Sequence, residues 1–187
     1  MYRERMETLK EWKVSKTRKP LIIRGARQVG KTWLMKEFGK LYYEKCAYIN
    51  FDDNTRMNKL FDEDFDLDRI IQGLKIESGV NIEPENTLII LDEIQETPNA
   101  LKALKYFYEN ANEYHIVAAG SLLGVAMHQG TSFPVGKVNF MDLMPLSFFE
   151  FLNALGQEHL LNLLKNNEFD MISVFNNKYK DYLKLYY

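Results

Sequence analysis

Eight consecutive residues near the start of the chain have types and spacing suited to holding phosphate. They are Gly25, Ala26, Arg27, Gln28, Val29, Gly30, Lys31 and Thr32, and they match the P-loop pattern G-x-x-x-x-G-K-[ST]. The two glycines allow a tight turn that brings backbone N–H groups close to phosphate oxygens. We expect Lys31 to reach the β- and γ-phosphates and Thr32 to bind Mg²⁺ through its hydroxyl. The segment predicts binding of ATP with Mg²⁺, against the alternative of a glycine-bounded turn that carries a surface lysine.

Two carboxylates, Asp92 and Glu93, directly follow the apolar run 88–91. A buried strand that ends in Asp92 would place this carboxylate at the edge of the sheet where a Mg²⁺ ligand is expected. Glu93 would then polarise a water for attack on the γ-phosphate. Apolar strands also end in acidic residues at solvated turns, so the pattern is weak by itself. Its position after a P-loop favours the catalytic interpretation.

Two further polar side chains, Ser121 and Gln95, are candidates for contact with the γ-phosphate or the attacking water. Ser121 follows the strand candidate 115–119. In ATPases whose sheet places this strand between the P-loop strand and the strand that ends in Asp92, a polar residue here contacts both groups. The alternative role of Ser121 is to cap a helix over 122–128. Gln95 either orients a water or is a surface residue.

The order of strand and helix patterns defines the fold class. Apolar runs typical of strands lie at 21–23, 47–51, 88–91, 115–119 and 138–143. A helical pattern over 3–13 precedes the first of them, and further helical patterns, including one that starts at 31 and one over 66–77, separate them. Thr97 and Pro98 suit an N-cap and the first position of another helix. Ser147 and Glu150 match a capping box. Alternating strands and helices predict an α/β fold with a parallel sheet covered on both faces.

The last thirty residues contain helical patterns and no strand signal. Phe175, Tyr179, Tyr182 and Tyr186 recur at helical spacing and form one aromatic face. A face of this kind normally packs against something. It packs either on this same domain or on a part of the protein further along the chain.

The composition restricts the partners and the compartment. The 187 residues carry a formal net charge of -2, which does not indicate a nucleic-acid or membrane binder because both need a positive surface. A single cysteine, Cys46, excludes an intrachain disulfide. The N-terminal segment lacks the apolar core of a signal peptide, and no apolar run approaches the ~20 residues of a membrane span. We therefore expect a cytoplasmic protein.

Taken together, the motifs resemble those of AAA+-type P-loop ATPases, in particular an archaeal and bacterial group that carries an uncharacterised C-terminal domain. The matching segments are GARQVGKT at 25–32, YINFDD at 48–53, LIILDEIQ at 88–95, AAGSLL at 118–123 and SFPVGKVNFMDLMPLSFFEF at 132–151. The resemblance extends from residue 1 to about residue 155. It implies a three-layer α/β/α fold with a five-stranded sheet in the order 5-1-4-3-2, followed by a helical tail.

The resemblance also implies a division of the chain and roles for two residues. Residues 1–155 would form the ATP-binding domain, and 156–187 would begin a lid or C-terminal region that continues in relatives. Ser121 would be a sensor residue. Many relatives have arginine before the fifth strand where this sequence has Lys137. Lysine is a point charge without the planar fork of arginine, so activation by a neighbouring subunit is left open.

Three functions fit these patterns. The first is a Mg²⁺-dependent ATP hydrolase that couples nucleotide state to conformational change, with Glu93, Lys31 and Ser121 as catalytic candidates and Thr32 and Asp92 as metal ligands. The second is a P-loop kinase that transfers phosphate to a small acceptor. Glu93 beside Asp92 favours hydrolysis over this kinase, because a base in this position serves a water. The third is a nucleotide-gated interaction module with negligible turnover. The expected partners are ATP and either a second copy of the chain or a missing C-terminal domain.

Overall fold

A five-stranded parallel sheet lies at the centre of the protein. The computed structural model describes residues 3–120, 134 and 136–187. The strands are β1 (Leu21–Arg24), β2 (Lys45–Asn50), β3 (Thr87–Asp92), β4 (His115–Gly120) and β5 (Asn139–Asp142). They lie in the order β2-β3-β4-β1-β5, and every neighbouring pair is parallel. The predicted strand positions and the predicted order 5-1-4-3-2 are confirmed.

Helices cover both faces of the sheet and continue beyond it. They are α1 (Arg5–Val14), α2 (Lys31–Tyr42), α3 (Thr55–Glu63), α4 (Leu67–Ser78), α5 (Pro98–Asn110), α6 (Phe148–Ala154), α7 (Glu158–Lys165), α8 (Phe169–Val174) and α9 (Asn176–Tyr186). The sequence patterns had not indicated α3. A short 3₁₀ turn, Ile94–Glu96, follows β3. No helix in the described part of the chain is both long and apolar enough to cross a membrane.

The central strand β3 shows how the sheet separates two cores. All six of its residues are buried. Leu88 and Ile90 pack in one core with α1 and α2, whereas Ile89 and Leu91 pack in the other with α3, α4 and α5. Successive side chains of a strand point to opposite faces, so a continuous apolar run is the expected sequence for a strand covered on both sides.

Two predicted helix starts have different outcomes. Ser147 accepts a hydrogen bond from the backbone N–H of Glu150, whose carboxylate accepts from the N–H of Ser147, so the capping box is confirmed. Thr97 does occupy the position before α5, but its side chain makes no cap. Its hydroxyl instead donates to Asn58 in α3. The predicted helix start at Thr97 and Pro98 is therefore confirmed in position, although the Thr97 side chain makes no cap hydrogen bond.

The aromatic face of the tail packs on helices of this chain. Tyr179 is buried, and its hydroxyl donates to the carbonyl oxygen of Leu160 at 2.8 Å. The ring of Tyr186 lies 5.7 Å from that of Phe148, measured between centroids, and its hydroxyl donates to a backbone carbonyl before α6. Phe175 and Tyr182 are partly buried against the apolar cluster formed by Tyr179 with Leu152, Leu160 and Leu161. The four residues therefore pack partly on α6 of the preceding domain, as the first alternative predicted, and partly on other helices of the tail.

Candidate functional site

The P-loop connects the carboxyl end of β1 to the first turn of α2. Gly30 has φ +91° and Gln28 has φ 64°, so the loop passes twice through the left-handed region. Gly25 is required for a different reason, because a Cβ built on it would lie 2.3 Å from the carbonyl oxygen of Leu143. The segment after β5 thus passes too close to the loop for any side chain. The structure gives each of the two motif glycines its own steric reason.

Lys31 is buried within this loop. Its ammonium donates to the carbonyl oxygens of Gly25 at 3.0 Å and Ala26 at 2.7 Å. Burial lowers the pKa of Lys31, while the nearby carboxylates of Glu93 and Asp92 act in the opposite direction. The positive charge is therefore held beside the turn of the loop and close to both carboxylates.

Thr32 and Asp92 are in direct contact although sixty residues separate them. The Thr32 hydroxyl donates to Oδ2 of Asp92 at 2.6 Å. Asp92 is 3% exposed, and its other oxygen, Oδ1, accepts from the backbone N–H of Glu93 at 3.2 Å. A hydroxyl and a carboxylate are hard oxygen donors, which Mg²⁺ prefers. The two residues predicted as metal ligands lie together and have the right chemistry for that ion.

Tyr48 is a member of this cluster that sequence reasoning missed. Its hydroxyl donates to Oδ2 of Asp92 at 3.1 Å, the same oxygen that Thr32 contacts. Burial, and then the negative charge of Asp92, raises the pKa of Tyr48 to about 12. The hydroxyl therefore remains a donor throughout the neutral range. The only sequence signal was its place in the strand segment YINFDD, where an aromatic residue fits a role in the core equally well.

Glu93 begins the 3₁₀ turn with φ 52° and ψ 42°, a left-handed conformation that is uncommon for a residue with a side chain. The turn brings Gln95 back towards it, and the Gln95 amide donates to Oε2 of Glu93 at 2.7 Å. Residues held in such conformations cost of order 1–3 kcal/mol and cluster at functional sites. The backbone is thus strained at the residue predicted to act as the base.

A cavity of about 610 Å³ lies beside the P-loop and the turn that begins at Glu93. Lys31, Thr32, Glu93 and Gln95 all contribute to its wall. A second cavity of about 420 Å³ lies beside it and is lined by the loop residues 26–30 together with Arg3 and residues 145–146. Lys31, Thr32 and Glu93, predicted from two separate motifs, therefore line one concave surface at the carboxyl edge of the sheet, where ligands bind in open parallel sheets. Asp92 is buried and is not part of the lining, but it contacts Thr32 directly.

Arg3 is a second residue that the sequence did not reveal. Its guanidinium donates to the carbonyl oxygen of Val29 in the P-loop at 3.1 Å and to that of Met144 at 2.8 Å. It also forms an ion pair with Glu150 at 3.1 Å, and the two side chains are 4% and 6% exposed. One buried arginine thus joins the P-loop to the start of α6. No local pattern pointed to it, since its partners lie up to 147 positions away.

Ser121 directly follows β4 in the sequence, and Lys137 precedes β5. Ser121 lies outside the described residues, but β4, which precedes it, does lie between β1 and β3. Lys137 precedes β5, and its ammonium contacts Glu109 at 2.8 Å. In a parallel sheet the amino end of β5 is opposite the edge that carries the P-loop. Lys137 is therefore not part of the site that its own chain forms around Lys31.

Comparisons with known proteins agree with this arrangement. Residues 17–152 match a family model described as an AAA domain. A comparison with curated proteins found no match. A solved Walker-type ATPase of Pyrococcus abyssi is 16% identical with a TM-score of 0.52, over 88% of this chain and 59% of that chain. Drosophila ORC bound to DNA is 19% identical with a TM-score of 0.53, over 96% of this chain and 57% of that chain. The chain spans less than two thirds of the length of either structure, and at these identities the likeness shows the fold alone.

Proposed function

Because this chain belongs to the AAA domain family, we propose that it binds ATP through residues 25–32 and hydrolyses it with Mg²⁺. The observation that carries the proposal is the 2.6 Å hydrogen bond from Thr32 to Asp92. It joins the P-loop to the carboxylate pair beside the cavity that Lys31, Thr32 and Glu93 line. Shared binding of one Mg²⁺–nucleotide complex needs the two side chains to lie this close together, which neither motif alone specifies.

Each polar residue then has a defined task. The backbone N–H groups of the loop and the N-terminus of α2 bind phosphate oxygens. Lys31 neutralises charge on the β- and γ-phosphates, and Glu93 accepts a proton from the attacking water. Thr32 and Asp92 are the residues that would hold Mg²⁺, which supplies further neutralisation of phosphate charge. Ser121 is proposed as a sensor of the γ-phosphate, in agreement with the place of β4 in the sheet.

We also propose that nucleotide state is coupled to the helices that follow the sheet. The buried Arg3 contacts both Val29 in the loop and Glu150 at the start of α6. A shift of the loop on nucleotide binding would therefore act directly on α6, the helix that leads into residues 156–187. In this proposal residues 1–155 are the ATP-binding domain and 156–187 are a helical segment that begins a lid or C-terminal region, as in the resembling group.

The test uses binding and turnover as separate measurements. A ligand that binds only the native state at a hundred times its dissociation constant stabilises it by ~2.7 kcal/mol. Lys31→Ala should abolish most of the melting shift produced by ATP and Mg²⁺. Lys40→Ala, the same substitution at an exposed position of the same helix, should keep it. Glu93→Gln should keep binding and slow phosphate release by roughly 10²–10⁴-fold.

The results separate the candidate functions. An unchanged melting shift in Lys31→Ala would refute the P-loop assignment. Retained binding without phosphate release in the wild type would identify a nucleotide-gated module instead of a hydrolase. Phosphate transfer that appears only when small-molecule acceptors are added would identify a kinase. Equal phosphate release in Glu93→Gln and wild type would remove Glu93 from the mechanism.

A further inference from the structure

The side chain of Gln95 lies between two carboxylates in the cavity wall. Its amide nitrogen Nε2 donates to Oε2 of Glu93 at 2.7 Å and to Oε1 of Glu96 at 3.2 Å. Both amide hydrogens are therefore used on negatively charged acceptors. Hydrogen bonds of this charge-assisted kind are about twice as strong as neutral ones.

The two carboxylates also fix which way round the amide lies. If the amide were turned by 180°, its oxygen would face Glu93 and Glu96, two acceptors with no hydrogen to give. The observed orientation leaves the amide oxygen Oε1 buried, and it finds no hydrogen-bond partner among residues 3–120, 134 and 136–187. A buried unpaired acceptor destabilises a fold by ~1–3 kcal/mol.

Among the described residues, both N–H groups of the Gln95 amide are used and its oxygen is not. Glu96 is exposed and can be solvated without Gln95. A buried polar atom without a partner calls for an explanation, such as a catalytic role or an ordered water. The group that gains from the arrangement is the Glu93 carboxylate, which Gln95 holds at the cavity.

We propose that Gln95 is a positioning residue for the proposed hydrolysis and that it acts by holding the Glu93 carboxylate in the orientation that receives the proton of the attacking water. The proposal rests on the function proposed above. In this proposal Oε2 of Glu93 keeps its hydrogen bond from Gln95 while Oε1 takes the proton. The water oxygen forms a bond to the γ-phosphorus as the bond from that phosphorus to the β–γ bridging oxygen breaks. The electron pair of the broken bond leaves with ADP.

The local backbone supports the same assignment. Glu93 turns the chain through the left-handed region, and the 3₁₀ turn Ile94–Glu96 places Gln95 two residues later on the same side. Ile94, between them, is fully buried and anchors the turn in the core. Glu93 and Gln95 are therefore carried by one anchored turn instead of by separate loops, which favours precise placement of the Glu93 carboxylate.

The test replaces Gln95 by leucine and measures turnover, ATP affinity and thermal stability in the same preparation. Gln95→Leu keeps a similar volume and removes both the donor and the unpaired oxygen. We expect phosphate release at saturating ATP to fall roughly 10- to 100-fold, which is the loss expected for one hydrogen bond to a charged group. The Kd for ATP with Mg²⁺ should stay within about twofold, and Tm should be equal or higher. Gln72→Leu, the same change at an exposed position of α4, is the control and should leave all three unchanged.

A double variant tests whether Gln95 acts through Glu93. Residues that act as one unit are not additive, so Glu93→Gln with Gln95→Leu should release phosphate at the same residual rate as Glu93→Gln alone. A further loss in the double variant equal to that of Gln95→Leu in the wild type would overturn the proposal. Unchanged phosphate release in Gln95→Leu, with Glu93→Gln still inactive, would overturn it and leave the hydrolase assignment intact. A wild type that binds ATP without turnover would overturn both.

Discussion

The buried arginine that joins the P-loop to helix α6 can be tested by one substitution. Arg3→Met keeps much of the side-chain length and removes the guanidinium. Glu150 then loses its ionic partner in a place where its side chain is 6% exposed, and the carbonyl oxygens of Val29 and Met144 lose their donors. We expect the variant to fold with a lower free energy of unfolding and with a P-loop that is less well held.

The size of the effect follows from what remains around Glu150. Removing one partner of a buried ion pair destabilises proteins by ~3–5 kcal/mol. Here Oε1 of Glu150 still accepts from the backbone N–H of Glu4 at 2.8 Å, and Oε2 from that of Ser147 at 2.9 Å. These two bonds compensate part of the loss, so we place the effect at the lower end, about 3 kcal/mol. In a chain of this size that corresponds to a fall in Tm of roughly 6–12 °C.

Urea and thermal unfolding would measure this change, with Arg5→Met as the control. Arg5 is exposed only two residues away, and its substitution should change stability by no more than about 0.5 kcal/mol. Combining Arg3→Met with Glu150→Gln should destabilise by less than the sum of the two single effects, because the second change removes the unpaired buried charge. A loss below about 1 kcal/mol in Arg3→Met, or strict additivity in the double variant, would refute the reasoning.

Two further predictions concern pH and Mg²⁺. Burial, and then the charges of Arg18 and Lys13, lower the pKa of His115 from 6.5 to about 4. Since the unfolded chain binds this proton more readily, stability is fully present above pH 6.5 and falls by ~3 kcal/mol as the pH drops to about 4. Urea unfolding at several pH values should show that His115→Asn loses less stability than the wild type between pH 6.5 and about 4. Equal losses in the two proteins would contradict this prediction. Tyr48→Phe removes a donor to Asp92, so the Mg²⁺ concentration that half-saturates ATP binding should rise roughly tenfold. An unchanged Mg²⁺ titration would exclude a role of the Tyr48 hydroxyl in supporting Asp92 as a metal ligand.

The elements of the fold could be predicted because each leaves a local pattern. The buried strand β3 needs four apolar residues in a row, and a helix needs one apolar stripe, whatever the rest of the chain does. Helix α3 escaped prediction because its short span lies in a charged stretch, and only Met57 and Phe61 are buried. For the same reason, the hydrogen bond from the Thr97 hydroxyl to Asn58 in that helix could not be predicted.

The sequence by itself determined the phosphate loop and the carboxylate pair. Gly30 adopts φ +91°, and Lys31 and Thr32 must begin a helix, so the motif residues are constrained by their own backbone and remain recognisable without a structure. Asp92 and Glu93 are likewise marked by the end of a buried strand. These requirements act between near neighbours in the chain, where spacing carries the information.

Only the tertiary structure decided which distant side chains complete the site. The contacts of Tyr48 with Asp92 and of Arg3 with Val29 and Glu150 join positions 44, 26 and 147 residues apart, and no periodicity links them. Gln95 is near Glu93 in sequence, yet its role depends on a left-handed turn that residue types do not specify. A hydrogen bond needs its two atoms within about 3 Å, and for residues on different elements that distance is set by the packing of the sheet and its helices.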